Sequence, residues 1–251
     1  MRNLLLAAVL GWLGSPMAFA AEWNLAVLKA MASMPSGGGY SVSSEASARF
    51  RAAVDVSGGR LRVNAGGAAP SYCSSATYLV FLKVVDAARA EGRMRLDAEA
   101  LAALAPGRQP DGHGIWGRWN ANGPGAARLF RELGLGRNFT EFDEALPGDF
   151  LKIFWRDAVG SNERGHLVVY LGRETRDGEE WVRFWSSNQD AGYGEKAAPR
   201  KKIARALFSR LEHPERAALA ARLPEVDGYL AALLERESSF EEACQLSGAG
   251  N

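Results

Sequence analysis

The spacing of apolar residues predicts helices in the first half of the chain. Residues 22–34 ("EWNLAVLKAMASM") and 44–54 ("SEASARFRAAV") repeat apolar positions at helical intervals, and a serine opens the second run. The run that starts at Cys73 ("CSSATYLVFLKVVDAARA") is apolar around most of its circumference, which predicts a central, buried helix. Its narrow polar stripe consists of Lys83, Asp86 and Arg89.

The pattern changes to that of strands after residue 148. Three runs rich in β-branched and aromatic residues are separated by turn residues: 149–155 ("DFLKIFW"), 165–173 ("GHLVVYLGR") and 179–188 ("EEWVRFWSSN"). They predict consecutive antiparallel strands. Alanine- and leucine-rich patterns return after residue 197, and the runs 200–212, 214–223 and 225–239 are expected to be helical. Helices, a small sheet and further helices indicate an α+β fold.

The first twenty residues have the three parts of a signal peptide. Arg2 is followed by the apolar run "LLLAAVLGWLG", and small residues ("AFA") precede Ala21. The apolar run is too short to cross a membrane, and no later run reaches the roughly 20 apolar residues needed. We therefore expect an exported protein without a transmembrane segment, either periplasmic or secreted.

Charge and residue usage exclude several classes of function. With 30 basic and 29 acidic residues, the chain has no cationic excess of the kind that nucleic-acid binding requires. Three histidines far apart and two cysteines give no metal-ligand spacing, and neither a metal nor another cofactor is expected. Two cysteines also exclude a dense disulfide framework, although export leaves a single Cys73–Cys244 bridge open.

Cys73 and His166 are the candidates for chemistry. A cysteine at the start of a helix has its thiolate stabilised by unpaired amides and the helix dipole, and a nearby histidine completes a thiolate–imidazolium pair. His166 opens the second predicted strand, where such a pairing is feasible. An inert buried cysteine, a disulfide and a structural strand-end histidine remain open as alternatives. His113 and His213 lie in a loop and at a helix boundary, and are most simply surface groups.

Two tryptophans lie in the glycine-rich run 111–125 ("DGHGIWGRWNANGPG"), which is expected to be a loop. Trp116 and Trp119 would there form a pocket wall, or would pin an irregular loop to the core. Both interpretations remain open.

Three motifs in order carry a family resemblance. "YCSS" at the start of an apolar helix, "LPGDFLKIFW" and "GHLVVYLG" resemble the NlpC-type and CHAP-type branches of the papain-like cysteine peptidases over about residues 60–190. The resemblance implies a papain-like fold, with the cysteine-bearing helix packed on the antiparallel sheet. It also implies a cysteine hydrolase, an amidase or peptidase that cleaves amide bonds in peptidoglycan peptides through a thioester.

Site residues follow from the same resemblance. Cys73 would be the nucleophile, His166 the base, and Asn188 the group that orients the histidine, with Ser186 and Ser187 as alternatives. The oxyanion would meet the backbone amide of Cys73, with its neighbours beside it. The substrate-binding residues are expected to be Tyr72, Ser74, Trp116 and Trp119.

The chain also departs from the family pattern. Tyr72 stands where the NlpC-type branch often has aspartate, and the long separation of Cys73 from His166 suggests a helical insertion near 96–146. The expected organisation is a signal peptide (1–20), a papain-like hydrolase domain (21–197) and a C-terminal helical extension (198–251). An alternative function is a non-catalytic papain-like module for envelope binding or assembly, with Cys73 bridged to Cys244.

Overall fold

The computed structural model describes residues 16–249, and side chains from residue 22 onward. The predicted signal peptide, 1–20, lies mostly outside the described residues. Helices and strands alternate in a mixed order, which confirms the α+β class. The α-helices are α1 (Pro16–Ala32), α2 (Ser44–Ala52), α3 (Cys73–Ala90), α4 (Ala98–Leu104), α5 (Gly114–Asn120), α6 (Gly125–Leu133), α7 (Gly228–Ala232) and α8 (Phe240–Ser247).

The strands build one main sheet and two short pairs. The main sheet has seven antiparallel strands in the order β1-β9-β8-β7-β5-β10-β4. The three predicted strands are confirmed as β5, β7 and β8. The strand bounds are β1 (Gly37–Gly38), β2 (Val54–Asp55), β3 (Arg62–Val63), β4 (Gly136–Phe139), β5 (Phe150–Phe154), β6 (Val159–Gly160), β7 (Gly165–Arg176), β8 (Glu179–Asn188), β9 (Gly192–Pro199), β10 (Arg205–Leu211) and β11 (Glu237–Ser238).

Helix α3 is the centre of the main core and packs against β7 and β8. Its middle turn, Leu79, Val80, Phe81 and Leu82, is fully buried. Each such side chain contributes about 1.5–3 kcal/mol of hydrophobic free energy on burial. Since the helix is held on nearly all sides, its first residue, Cys73, has a fixed position relative to the sheet.

The prediction of a helix over 200–212 is wrong. After a 3₁₀ turn (Arg200–Lys202) the chain forms β10, which pairs with β5 on one side and β4 on the other. Ala206 and Phe208 pack into the core on one side of the sheet, while Leu207 packs into another cluster. Because apolar side chains cover both faces of this strand, its sequence lacks the alternation that marks a half-exposed strand.

Residues 198–251 are consequently not a helical extension, since part of this segment lies inside the main sheet. The run 214–222 is a 3₁₀ helix, and it is followed by the short helix α7, strand β11 and helix α8. The region 96–146 contains the expected helices α4 and α6, but also strand β4. The glycine-rich run 111–125 is not a loop throughout, because it contains helix α5.

Within residues 16–249, no helix combines the length and the apolar character that a membrane crossing requires.

Candidate active site

Cys73, His166 and Asn188 line one cleft of about 1080 Å³. Cys73 comes from the first turn of α3, His166 from the start of β7, and Asn188 from the end of the neighbouring strand β8. The cleft thus lies where the start of the central helix meets two adjacent strand ends. Residues distant in the sequence converge there because α3 packs across β7 and β8.

The segment before Cys73 is tied to the sheet. The hydroxyl of Ser71 donates a hydrogen bond to the hydroxyl of Ser187 on β8 at 2.8 Å, and the amide of Ser71 donates to the carbonyl of Gly39. The amide of Tyr72 donates to Ser75 Oγ at 3.1 Å, which caps the start of α3. Cys73 and Ser74 form the first turn of α3, where the unpaired amides of a helix N-terminus stabilise negative charge.

The hydrogen bonds of Asn188 define the tautomer of His166. Asn188 donates its side-chain amide to the carbonyl of Gly194 at 2.9 Å, so its oxygen faces His166. His166 Nε2 lies 3.3 Å from this Asn188 oxygen and therefore carries the hydrogen that it donates. The other ring nitrogen, Nδ1, is left free to exchange a proton with the thiol of Cys73.

The two serines considered as alternatives to Asn188 have other partners. Ser186 donates its hydroxyl to the carbonyl of Leu167 at 2.8 Å, and Ser187 accepts from Ser71. Both are fully buried. Of the three neighbouring positions, Asn188 is the one in contact with the imidazole.

The environment of Cys73 lowers its pKa. Burial is the largest influence and raises the pKa, but it is outweighed by hydrogen bonding and charge from His166, the amide of Leu167 and the charge of Lys152. The resulting pKa is about 7, against an ordinary value of 9.0. A large fraction of the thiol is then ionised at neutral pH, as a nucleophilic cysteine requires.

Lys152 forms a shielded ion pair beside the thiol. Its ammonium lies 2.6 Å from Glu163 Oε1, and the two side chains are only 14% and 4% exposed. The second oxygen of Glu163 accepts from the amides of Gly123 and Gly160. The position of the ammonium is therefore set by a carboxylate that the backbone itself holds. Neither residue was predicted from the sequence, although Lys152 is a charged residue within an apolar strand.

A chain of hydrogen-bonded polar side chains also lines the cleft. Ser74 donates to Asn120 at 2.6 Å, and Asn120 donates to Asp111 at 3.1 Å. Asp111 also accepts from the amide of Asn122. Burial raises the pKa of Asp111 against the effect of these hydrogen bonds. Ser74 thus lines the cleft as expected, and its hydroxyl links the first turn of α3 to α5.

The predicted substrate-binding aromatics divide into two groups. Tyr72 and Trp119 line the cleft, although Trp119 is only 1% exposed and donates its indole N–H to Thr77. Trp116 does not line the cleft. Its ring packs 4.5 Å from that of Phe50 and 5.3 Å from that of Tyr78, so its expected binding role is replaced by a role in the core.

Tyr40 is a cleft residue that the sequence analysis missed. Burial raises its pKa to about 12, and the negative charge of Cys73 adds to the increase. The phenol consequently stays protonated at neutral pH and can donate a hydrogen bond into the cleft. Only the tertiary fold brings Tyr40 here, through the bridge between Tyr40 and Ser71.

The Cys73–Cys244 disulfide is not formed, and both thiols are free. Cys244 is buried in α8, and burial raises its pKa to about 11. Residues 16–249 contain no cluster of three His, Cys, Asp or Glu side chains that could hold a metal ion.

Comparison with family models, curated proteins and solved structures finds no match to this chain. The interpretation of the site therefore depends on its own geometry and on the sequence motifs.

Proposed function

We propose that the protein is a papain-like cysteine hydrolase that cleaves amide bonds. The observation that carries this proposal is the convergence of a low-pKa Cys73 at a helix start, His166 beside it, and Asn188 on the far nitrogen of His166. This is the nucleophile, base and orienting group that acyl transfer requires. A structural histidine and an inert cysteine would need neither the arrangement nor the lowered pKa.

The reaction begins with a thiolate and an imidazolium. The thiolate of Cys73 attacks the carbonyl carbon, and the oxyanion that forms accepts from the amide of Cys73, with the phenol of Tyr40 as a second donor. The Tyr72 amide is bound to Ser75 and does not take part. These donors stabilise the oxyanion effectively because they are already in position before the negative charge develops.

The leaving amine takes its proton from His166 Nδ1, and the C–N bond breaks to give a thioester on Cys73. A water molecule then attacks the carbonyl carbon of the thioester, while Nδ1 of His166 accepts a proton from this water. The C–S bond breaks, the thiolate is restored beside the imidazolium, and the product leaves as a carboxylic acid that loses its proton to water. Throughout the cycle Asn188 keeps the imidazole oriented through Nε2.

The proposed substrate is a peptidoglycan peptide, in the periplasm or outside the cell. The substrate class is supported by the order of the motifs around Cys73, Asp149 and His166, which resembles the NlpC-type and CHAP-type enzymes. The location is supported by the signal-peptide pattern of residues 1–20. The alternative of a non-catalytic module depended on a Cys73–Cys244 bridge, and both cysteines are free.

Digestion of purified peptidoglycan tests the proposal. Wild-type protein should release new amino groups, and both Cys73→Ala and Cys73→Ser should release none while keeping their melting temperatures. Cys244→Ser is the matched control and should remain active, because Cys244 is buried in α8 away from the catalytic residues. Asn188→Ala should retain partial activity. Undiminished digestion by Cys73→Ala would refute the proposal.

A further inference from the structure

The cleft is larger than the catalytic groups require, and one part of it is cationic and aromatic. Five residues that the proposed chemistry does not use line this part, here called the cationic arm: Trp155, Arg164, Trp181, Lys196 and Lys202.

The arm residues come from two strands of the main sheet, β8 and β9, and from segments that connect its strands. Trp155 directly follows β5, and Arg164 directly precedes β7. The amide of Trp155 donates to the carbonyl of Arg164 at 2.9 Å, which holds the two residues together. Arg164 is two positions from His166, so the arm adjoins the catalytic residues. Lys202 is contributed by the 3₁₀ turn before β10, and Lys196 by β9.

No carboxylate within the described residues pairs with Arg164 or Lys202. The two carboxylates that line the cleft are bound elsewhere, Glu163 to Lys152 and Asp111 to Asn120. Lys196 pairs with Asp190 at 2.9 Å, but both side chains are exposed, and such pairs are weak and exchangeable. Arg164 and Lys202 therefore give the cleft that contains Cys73 positive charge that no carboxylate of the described residues pairs with.

The tryptophans give the arm apolar surface as well as charge. Trp155 and Trp181 are half-buried, and Arg176 covers the ring of Trp181 at 4.6 Å while the same ring also lines the cleft. Indole rings next to cations suit a ligand with an aliphatic body and a negatively charged end. A peptide that carries free carboxylates has this chemistry.

We propose that the cationic arm binds the carboxylates of an acidic peptide and so places its scissile amide at Cys73. The inference rests on the proposed function and specifies its substrate: amide bonds in peptides with a free carboxylate on the side of the arm. Arg164 and Lys202 contact that carboxylate, and Trp155 and Trp181 contact the adjoining aliphatic groups. Salt weakens the attraction, because Arg164, Lys196 and Lys202 are exposed and dissolved ions screen exposed charges.

Pairs of peptides test the assignment. The two peptides of a pair have the same sequence and differ only in that one carries free carboxylates and the other carries carboxamides in their place. The wild type should have about a tenfold higher kcat/KM for the carboxylate member. Lys202→Gln and Arg164→Gln should each raise KM for that member about three- to tenfold with little change in kcat, and should not affect the carboxamide member.

Lys201→Gln is the matched control. Lys201 is adjacent in sequence, but its ammonium is paired with Glu179 at 2.7 Å and it does not line the cleft. This variant should behave as the wild type. Equal kcat/KM values for both peptides, or equal effects of the Lys201 and Lys202 changes, would overturn the inference.

Binding to Cys73→Ala, followed by tryptophan fluorescence, separates this inference from the proposed function. Tighter binding of the carboxylate member that depends on Lys202 supports the arm even if the wild type hydrolyses neither peptide. In that case only the catalytic proposal fails. Indistinguishable binding of the two members in this inactive variant would refute the arm, whatever the wild type hydrolyses.

Discussion

The ionisation of Cys73 depends on a few neighbouring groups. Burial alone would keep the thiol protonated, and the opposing contributions come from His166, the Leu167 amide and Lys152. A pKa of about 7 means that protonation and ionisation are balanced near neutral pH. The contribution of each neighbour to the pKa can therefore be tested by replacing that neighbour and measuring how the rate of thiol alkylation depends on pH.

The first prediction concerns His166. Alkylation of Cys73 should accelerate as the pH rises through about 7, because the reactive thiolate accumulates above the pKa. In His166→Ala the midpoint should move upward toward the ordinary value of 9.0, since the largest influence that lowers the pKa is removed. Iodoacetamide rates between pH 5 and 10, measured in Cys244→Ser, would give both midpoints. An unchanged midpoint would show that His166 does not face the thiol.

The second prediction concerns Lys152. Replacing Lys152 by methionine removes a cation near the thiolate, so the alkylation midpoint should rise, by less than in His166→Ala. Glu163 would be left unpaired and buried, so the change should be made together with Glu163→Gln to preserve the fold. Lys152→Arg with native Glu163 should keep the midpoint near that of the wild type. If the variant with both Lys152→Met and Glu163→Gln also keeps the wild-type midpoint, the charge of Lys152 has no part in ionising Cys73.

The sequence was sufficient to propose Cys73, His166 and Asn188, because each occupies a recognisable place in a motif. It could not distinguish Asn188 from its two serine neighbours, since their partners depend on how β8 pairs with β7. Tyr40 and Glu163 were missed for a similar reason. They reach the cleft only through tertiary contacts that no local pattern encodes.

At the scale of elements, the turn before β5 is held by a buried ion pair. Arg210 on β10 makes two hydrogen bonds to Asp149, at 2.9 and 2.7 Å, and the pair is 5% and 0% exposed. Asp149 also accepts from Asn24 and from the amide of Leu146. One carboxylate thus joins α1, the "LPGD" turn and β10.

The third prediction follows from this pair. Asp149→Ala should lower the free energy of unfolding by about 3–5 kcal/mol, because Arg210 would remain buried without its partner. Asp143→Ala is the control, since its pair with Arg173 is exposed and should contribute no more than about 1 kcal/mol. Urea denaturation of both variants would measure the difference. Equal losses would mean that the buried pair contributes no more than a surface one.

The same strand explains the main error of the sequence analysis at this scale. The segment 200–212 has charged residues at one end and apolar residues along its length, which resembles an amphipathic helix. In the fold, β10 has cores on both sides and buries Arg210 against Asp149, so tertiary pairing overrides the local pattern. The strands β5, β7 and β8 were recognisable because β-branched and aromatic residues cluster there between turns.

At the scale of the whole molecule, the C-terminal region is part of the same structural unit as the cleft. Strand β10 lies between β5 and β4, and β5 pairs with β7, which bears His166. Beyond the sheet, buried Arg118 on α5 donates to the carbonyl of Pro224, and Arg128 on α6 pairs with Asp227 at 2.8 Å. The C-terminal segment therefore supports both the sheet and the helices behind the cleft.

The fourth prediction tests this integration. A chain of residues 22–197 should lack a cooperative thermal transition, because removal of β10 leaves β4 and β5 without their shared partner. Expression of 22–197 together with 198–251 should restore soluble, cooperatively melting protein if the two pieces associate as the sheet requires. Calorimetry of each preparation would decide. A cooperative transition from 22–197 alone would support the separable extension that the sequence analysis expected.

The proposed mechanism requires Cys73 to form a thioester with the carbonyl half of an amide substrate. Intact-protein mass spectrometry after rapid acid quenching of the reaction with peptidoglycan fragments tests it most directly. We expect an acyl adduct on Cys73 in the wild type and in Cys244→Ser, and neither adduct nor hydrolysis in Cys73→Ala. Hydrolysis of the same fragments by Cys73→Ala would contradict it.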